Sequence, residues 1–244
     1  MSEAPPRARL PFAVRALLAT SFLTSFATVG QITILGKQVF DMTGRELDLG
    51  LLGLAEFVPL AVAAPFTGAL ADRFDRRRVF AVGILGEVAT SVGLFWYVST
   101  DPSRVGPIFA LVVVYGFSRS LASPAVRALA IDVAPAESLE RVIALRSVAF
   151  QAGGILGPVA AGFLFVVDPA APYAVSAAAY VVAAALISVI PALPTRRLAT
   201  RGGLQALRDA RAGLGFIRRQ PVILGAISLD LFAVLLGGIV ALLP

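Results

Sequence analysis

Long apolar segments alternate with short polar ones along most of this chain. Each apolar segment is about 20 residues long, and at about 1.5 Å per helical residue this length crosses a hydrocarbon core of about 30 Å. The segments cover residues 16–36, 49–71, 79–99, 108–128, 142–167, 173–190 and 222–243. We therefore predict an all-α membrane protein whose helices cross the lipid bilayer in alternating directions.

The composition agrees with this pattern. Of the 244 residues, 58% are hydrophobic and 15% are charged, whereas soluble domains contain about 25% charged residues. The chain has no cysteine and no histidine, which excludes disulfides, thiol chemistry and a histidine proton relay and argues against the usual zinc sites. We expect no metal and no cofactor. An enzyme is disfavoured, because the usual nucleophiles and bases are missing.

Basic residues collect at one side of the predicted membrane. Of the 21 lysines and arginines, Lys37, Arg45 and Arg104 fall in predicted outer loops and Arg119 falls within a span. We assign the other 17 to the inner side, including Arg127 and Arg146, which fall toward the inner ends of the fourth and fifth spans. Because basic residues of short loops stay in the cytoplasm, this distribution predicts a cytoplasmic N-terminus. The net charge of +6 is then an orientation signal, and we expect no nucleic-acid partner.

The densest charge cluster lies between the second and third spans. Residues 68–78 read Gly-Ala-Leu-Ala-Asp-Arg-Phe-Asp-Arg-Arg-Arg. Gly68 allows a neighbouring helix to approach closely, and Asp72 can accept hydrogen bonds at the positive N-terminus of a partner helix. Arg73, Arg76 and Arg77 can bind carboxylates at other helix ends. Such a cluster can hold one arrangement of the helices and release it in another, and we call it the latch.

This turn resembles the signature loop of the major facilitator superfamily of secondary transporters. Asp75 departs from the pattern, because the broad superfamily usually has glycine there. The version found here is similar to that of enterobactin-type exporters and macrolide-efflux-like proteins. The resemblance implies that Arg76 or Arg77 bonds an acid at the end of the fourth span, for which Asp132 is the best match. It also implies a bacterial inner-membrane protein that is monomeric at full length.

The same resemblance implies a domain organisation. Residues 1–190 would form a six-helix N-terminal bundle of two inverted three-helix repeats. Residues 191–221 would form an inner linker, and residues 222–244 the first span of an incomplete second bundle. The linker repeats apolar residues at three- or four-residue spacing opposite arginines, which is typical of an amphipathic helix on the membrane surface; a disordered linker is the alternative. We therefore expect the chain to be the front part of a longer transporter.

Polar residues form a stripe on the first span. Thr20, Thr24, Thr28 and Gln31 are spaced three or four residues apart, so they share one helix face. The stripe suits a water-filled cavity that binds a polar or amphiphilic solute, and in the family it resembles the first span lines the cavity. Alternatively, the hydroxyls bond to their own helix or to a neighbour.

The fifth span contains closely spaced glycines around a proline. Gly154, Gly157, Pro158 and Gly162 resemble the fifth-span motif of antiporters, which implies export. The proline removes one backbone hydrogen bond, so close packing and a local bend are expected here.

Four ionisable residues fall within predicted spans, where charge is costly and a functional role is the default hypothesis. They are Glu56, Glu87, Arg119 and Asp230. The last three lie about 12 Å in from the cytoplasmic side, so we predict that Arg119 pairs with Glu87 or Asp230 and couples proton uptake to the orientation of the cavity. A static ion pair is the alternative. Glu56 lies nearer the outer face, where it could be an outer-facing proton site or extend toward headgroups.

Together these features predict a proton-coupled antiporter that exports small amphiphilic compounds such as drugs or siderophores by alternating access. Its partners would be the small-molecule substrate, protons and the lipid bilayer. Two alternatives remain open: an importer of a small polar solute, and a truncated membrane scaffold that does not transport. The sequence leaves the substrate and the choice between proton and sodium open.

Overall fold

The computed structural model describes residues 10–190 and residues 220–222, 224, 225, 228 and 229. The side chains of residues 65, 68, 69, 71–73 and 136 lie outside this description, as do residues 191–219 of the predicted linker, most of the predicted seventh span and Asp230. Residues 10–190 belong to a compact unit spanning residues 1–200. In the unit of residues 201–244, the described residues 221, 222, 224, 225, 228 and 229 are helical.

Six α-helices make up the first unit, and in the part of the chain that is described no strand is present. They are α1 (Phe12–Thr43), α2 (Glu46–Arg73), α3 (Arg76–Val98), α4 (Gly106–Val133), α5 (Leu139–Val167) and α6 (Ala171–Ser188), with a 3-10 turn at Ala136–Ser138. All six are long and apolar enough to cross a membrane.

The distribution of side chains is that of a protein surrounded by lipid. Large apolar residues point outward, including Phe163 at 74% exposure and Val166 at 86%. Polar residues such as Gln31, Glu87 and Ser91 are buried inside the bundle. Because hydrocarbon offers no hydrogen-bond partners, polar groups are expected to turn inward and the apolar surface to face the lipid tails.

Two polar boundaries differ from those predicted. The outer loop expected over residues 37–48 is largely helical, because α1 continues to Thr43 and α2 begins at Glu46. An ion pair of 2.7 Å between Lys37 and Asp41, one helical turn apart, accompanies the extension. Gly44 then ends α1 in the left-handed conformation with φ of 61°. Similarly, α4 extends to Val133, so the connection predicted over residues 129–140 is shorter than expected.

The turn between α2 and α3 is equally tight. Asp75 caps α3, since its Oδ1 accepts a hydrogen bond of 3.0 Å from the backbone N–H of Arg77. The Arg77 side chain also bonds this carboxylate, and that hydrogen bond is the largest influence holding the pKa of Asp75 below its ordinary value. The departure from the superfamily's usual glycine therefore supplies a helix cap.

Helix packing follows the pattern of two inverted repeats. The extensive helix pairs are α1 with α5, α1 with α6, α2 with α4, α3 with α4, and α3 with α6. Exchanging α1, α2 and α3 for α4, α5 and α6 maps each of these pairs onto another or onto itself. Arg76 at the start of α3 contacts Asp132 near the end of α4, so these two helices run in opposite directions. The bundle of two inverted three-helix repeats is confirmed for residues 10–190.

Glycines set the closest helix approaches in both repeats. A Cβ atom on Gly30 of α1 would lie 2.9 Å from the carbonyl oxygen of Gly157 in α5. In the equivalent pair, a Cβ atom on Gly116 of α4 would lie 2.5 Å from the carbonyl oxygen of Glu56 in α2. Helix backbones therefore touch at these points, as small residues permit in membrane bundles.

We expect Gly157→Ala to destabilise the bundle, because its methyl group would meet the backbone of Phe26 and Gly30 at 3.0–3.1 Å or closer. Overpacking of this kind costs about 1–3 kcal/mol, so the Tm of the detergent-purified protein should fall by about 2–4 °C for each kcal/mol. Gly162→Ala is the matched control, since among the described residues no other helix has an atom within 4 Å of a Cβ atom there. Equal Tm values for the two variants would show that the close contact of Gly157 with α1 does not limit the side chain at this position.

Candidate functional site

The polar stripe of α1 faces the interior of the bundle, where its members have different surroundings. Thr24 and Thr28 line a cleft between helices. Thr20 does not line it and instead donates to the carbonyl oxygen of Ala183 in α6 at 3.5 Å. Gln31 also lies away from the cleft, and its Oε1 accepts a hydrogen bond of 2.6 Å from Ser91. Two of the four residues predicted to line a cavity therefore serve helix contacts.

Three hydroxyl groups form a closed ring in the core. Tyr115 Oη of α4 donates to Thr28 Oγ1 at 3.1 Å, and Tyr180 Oη of α6 lies 2.9 Å from each of the other two oxygens. Each hydroxyl has one proton, so the remaining directions follow: Thr28 donates to Tyr180, and Tyr180 donates to Tyr115. The ring ties α1, α4 and α6 together. Sequence reasoning missed both tyrosines, although Tyr115 is the single tyrosine of the predicted fourth span and was an available signal.

Arg119 pairs with a carboxylate that was not its predicted partner. Its Nη1 lies 2.5 Å from Glu56 Oε1, and both side chains are partly buried. The depth argument favoured Glu87 or Asp230, because it placed Glu56 by its distance from the outer face and Arg119 by its distance from the cytoplasmic side. Counted from the observed helix starts, Glu56 and Arg119 differ in depth by only about 5 Å, which a long arginine side chain can span. The backbone contact at Gly116, one turn before Arg119, brings α2 close enough for the pair to form.

Glu87 is buried on α3 and lines the same cleft as Arg119. It is 3% exposed, and among the described residues no salt bridge involves it. Gly83, one turn earlier, lets α3 approach the backbone of Ala122 in α4, where an added Cβ atom would lie 2.6 Å from the backbone nitrogen. Close packing of α3 on α4 thus holds Glu87 near the helix that carries Arg119. Asp230, the remaining candidate, lies outside the described residues.

The cleft itself has a volume of about 80 Å³ and opens between α1, α3, α4 and α5. Its lining residues lie toward the end of the bundle that carries the α2–α3 turn. They are Ser21, Thr24, Thr28, Phe80, Glu87, Arg119, Ala122, Ser123, Val126, Arg127, Arg146 and Phe150. The lining is rich in hydroxyl and guanidinium groups. Among residues 10–190 and the few described beyond them, no cluster of three metal-ligating side chains is present.

At that end of the bundle, arginines of α3 join three helices. Arg76 Nη1 lies 2.6 Å from Asp132 Oδ2 of α4 and 3.5 Å from the carbonyl oxygen of Ala128. Arg77 Nη1 donates to the carbonyl oxygen of Ile190, just after α6, at 2.5 Å. The first contact is the one for which Asp132 was named from the sequence. The side chains of Gly68, Asp72 and Arg73 lie outside the described residues, and the opening and closing of the latch stays a prediction.

The α5 motif also separates into different roles. Gly157 touches α1 at Gly30, and Gly154 lies 3.4 Å from Ser25 Oγ, as measured from an added Cβ atom. Pro158 lies inside the helix. Gly162 has open space around it, so it takes no part in the α1–α5 contact.

We expect Asp132→Asn to lower the Tm of the purified protein, because it removes the charge that faces a partly buried guanidinium. The loss should be about 1–2 kcal/mol, between the values for exposed and buried pairs. Asp101→Asn, in the exposed α3–α4 connection, should leave the Tm unchanged. The exchanged pair Arg76→Asp with Asp132→Arg should recover part of the loss. If the double variant is no more stable than Arg76→Asp or Asp132→Arg alone, the ion pair does not contribute to the stability of the protein.

Comparison with known proteins adds an independent result. The family model described as the Major Facilitator Superfamily matches residues 17–244. The uncharacterized MFS-type transporter YfiS of Bacillus subtilis is 24% identical over 212 residues, covering 85% of this chain and 50% of YfiS. The quinolone resistance protein NorA of Staphylococcus aureus is 27% identical over 180 residues, covering 72% of this chain and 44% of NorA. The chain thus spans about half the length of these relatives.

A solved structure agrees at the level of the fold. A mutant of the peptide transporter POT in complex with alafosfalin matches with a TM-score of 0.63, over 94% of this chain and 49% of that one. The sequence identity is 18%, so this likeness concerns the arrangement of helices alone.

Proposed function

The chain belongs to the Major Facilitator Superfamily, and from this we propose that the whole protein is a secondary active transporter that exports small amphiphilic compounds in exchange for protons. Alternating access is the proposed mechanism, with the N-terminal bundle moving against a second one. We propose residues 1–190 as the first bundle, 191–221 as a cytoplasmic linker and 222–244 as the start of the second bundle.

The observation that carries the proposal is the Arg119–Glu56 pair, next to the buried Glu87, within the membrane-spanning helices. Charges at such depth are costly and mark ion or substrate pathways. An arginine keeps its proton at ordinary pH, so a carboxylate must be the group that binds and releases the proton. Glu56 on α2 and Glu87 on α3 offer two alternative partners to one guanidinium on α4.

This arrangement suggests how proton binding could move helices. Protonation of Glu56 would remove the charge that holds Arg119 toward α2, and the guanidinium could then turn toward Glu87. Because the two carboxylates lie on different helices, a change of partner would favour a different packing of α2 and α3 on α4. Asp230 remains a third candidate partner from outside the bundle.

Export is supported by two features. The α5 motif of Gly154, Gly157, Pro158 and Gly162 resembles that of antiporters. In addition, a relative that is 27% identical bears a name that refers to quinolone resistance, and a membrane transporter can give resistance by lowering the drug concentration in the cell. Thr24 and Thr28 are the stripe residues that we propose to face the substrate. Thr20 and Gln31 would support them through helix contacts.

The remaining parts of the proposal concern the setting of the protein. The relatives are bacterial, which supports the inner membrane as the location. The collection of arginines at the α2–α3 turn end supports a cytoplasmic N-terminus. At that face, Gly68, Asp72, Arg73, Arg76, Arg77 and Asp132 would form the latch that holds one state of the transporter. We propose a monomer at full length.

We expect the full-length protein, expressed in bacteria that lack their own drug pumps, to lower the accumulation of labelled amphiphilic compounds, including quinolones. Dissipating the proton gradient should abolish the difference from cells without the protein, whereas dissipating a sodium gradient should not. Raised accumulation would identify an importer and overturn export. Unchanged accumulation of every compound, with the protein present in the membrane, would support a scaffold instead.

Replacing the carboxylates tests the coupling residues. We expect Glu56→Gln and Glu87→Gln each to reduce proton-driven export at least about tenfold, since efficient coupling depends on a titrating group at this site. Exchange of substrate without a proton gradient should be retained. Glu46→Gln, on the exposed first turn of α2, is the control and should export normally. Undiminished proton-driven export by both variants would contradict the coupling model.

A further inference from the structure

Positive charge exceeds negative charge in the cleft between α1, α3, α4 and α5. Three arginines, Arg119, Arg127 and Arg146, line it together with one carboxylate, Glu87. Glu56 already pairs with Arg119. For Arg127 and Arg146, no carboxylate lies within salt-bridge distance among the residues that the structure describes. The cleft therefore has an excess of positive charge even when Glu87 is ionised.

Two hydrogen-bond donors in the cleft also lack partners. The Nε atom of Arg146 is buried and has no hydrogen-bond partner in the described structure. The same is true of Ser21 Oγ, on a residue that is only 1% exposed. Leaving a buried donor unpaired costs about 1–3 kcal/mol, and both residues belong to the lining of the cleft. A ligand that accepts hydrogen bonds is therefore a suitable partner for either of them.

The size and walls of the cleft restrict that ligand. A volume of about 80 Å³ is enough for a carboxylate group and small beside the roughly 300–1,000 Å³ of pockets that enclose a whole drug-sized ligand. Phe80, Val126 and Phe150 provide apolar walls beside the polar groups. The main body of an amphiphile would thus remain outside while its charged end enters.

We propose that this cleft binds the carboxylate of the transported compound, with Arg146 and Arg127 as the charged contacts and Ser21 as an additional donor. The inference rests on the proposed function and makes it more specific: the substrates are amphiphilic acids or zwitterions. Guanidinium groups suit this role, since they present parallel N–H donors that match the two oxygens of a carboxylate. The residues that bind the acid are separate from the Arg119–Glu56 pair.

The test compares an acid with its neutral ester on the purified full-length protein in nanodiscs of neutral lipid, without any gradient. A fluoroquinolone and its methyl ester form such a pair. The unaltered protein should bind the acid more tightly than the ester. Arg146→Gln should weaken binding of the acid about tenfold or more, the expected loss of one charge-assisted hydrogen bond, and should change binding of the ester little.

Three controls make the result specific. Arg146→Lys keeps the charge and should retain most of the preference for the acid. Arg141→Gln, on the exposed first turn of α5 and outside the cleft lining, should bind both compounds normally. Size-exclusion profiles and Tm values establish that each variant is folded. Equal losses for acid and ester in folded Arg146→Gln, or no loss for either, would overturn the proposal.

Two further outcomes separate this inference from others. If anionic phosphatidylglycerol in the nanodiscs displaces the acid from the unaltered protein but has no effect on the residual binding of Arg146→Gln, the site belongs to a lipid headgroup and the substrate assignment is overturned. Because binding is measured without a gradient, a protein that prefers the acid but fails to export it would support this site while contradicting the proposed transport. Proton-driven export without any preference for the acid would support the proposed transport and contradict the carboxylate site.

Discussion

Direct contact between helix backbones is the constraint on which the bundle depends. Lipid tails are as apolar as the helix surfaces, so exclusion of water cannot hold neighbouring helices together within the bilayer. Contact at Gly30 and Gly157 brings α1 and α5 together, and contact at Gly116 does the same for α4 and α2. Interhelical hydrogen bonds, such as those of the Thr28–Tyr115–Tyr180 ring, also hold helices together and fix their relative orientation.

The charged groups of the site depend on those same contacts. Gly116 precedes Arg119 by one turn, and Gly83 precedes Glu87 by one turn. Gly116 lets α4 pack closely on α2, and Gly83 lets α3 pack closely on α4. These close approaches hold Arg119 and Glu87 near the neighbouring helix. A side chain in place of either glycine would separate the helices and alter the electrostatics of the cleft.

Sequence reasoning was strongest where the signal is repetitive. The family and the all-helical fold are confirmed, because apolar segments of bilayer length and the Gly68–Arg78 motif are long patterns. Partnerships between single side chains were harder to predict. Arg119 pairs with Glu56 because an arginine side chain can span the depth difference of about 5 Å between them and because the contact at Gly116 brings α2 close to α4. Depth along a sequence determines neither the reach of a side chain nor the approach of two helices.

The arginines of the cleft and the hydroxyl ring could not be predicted from the sequence pattern. Arg127 and Arg146 were counted only as indicators of orientation, since nothing in their spacing indicates that α4 and α5 bring them to one cleft. The closure of the hydroxyl ring likewise depends on three helices meeting at one depth. Asp75 is a different case: a departure from the family pattern drew attention to it, and its N-cap contact supplies a physical reason for the residue.

The shortness of two connections has a mechanical consequence. Only Gly44 and Arg45 separate α1 from α2, and only Phe74 and Asp75 separate α2 from α3. Connections of two residues prevent the first three helices from sliding far past one another. Because each helix is continuous, a displacement at one membrane face also moves its other end. Three helices linked in this way are suited to tilting together against the rest of the bundle.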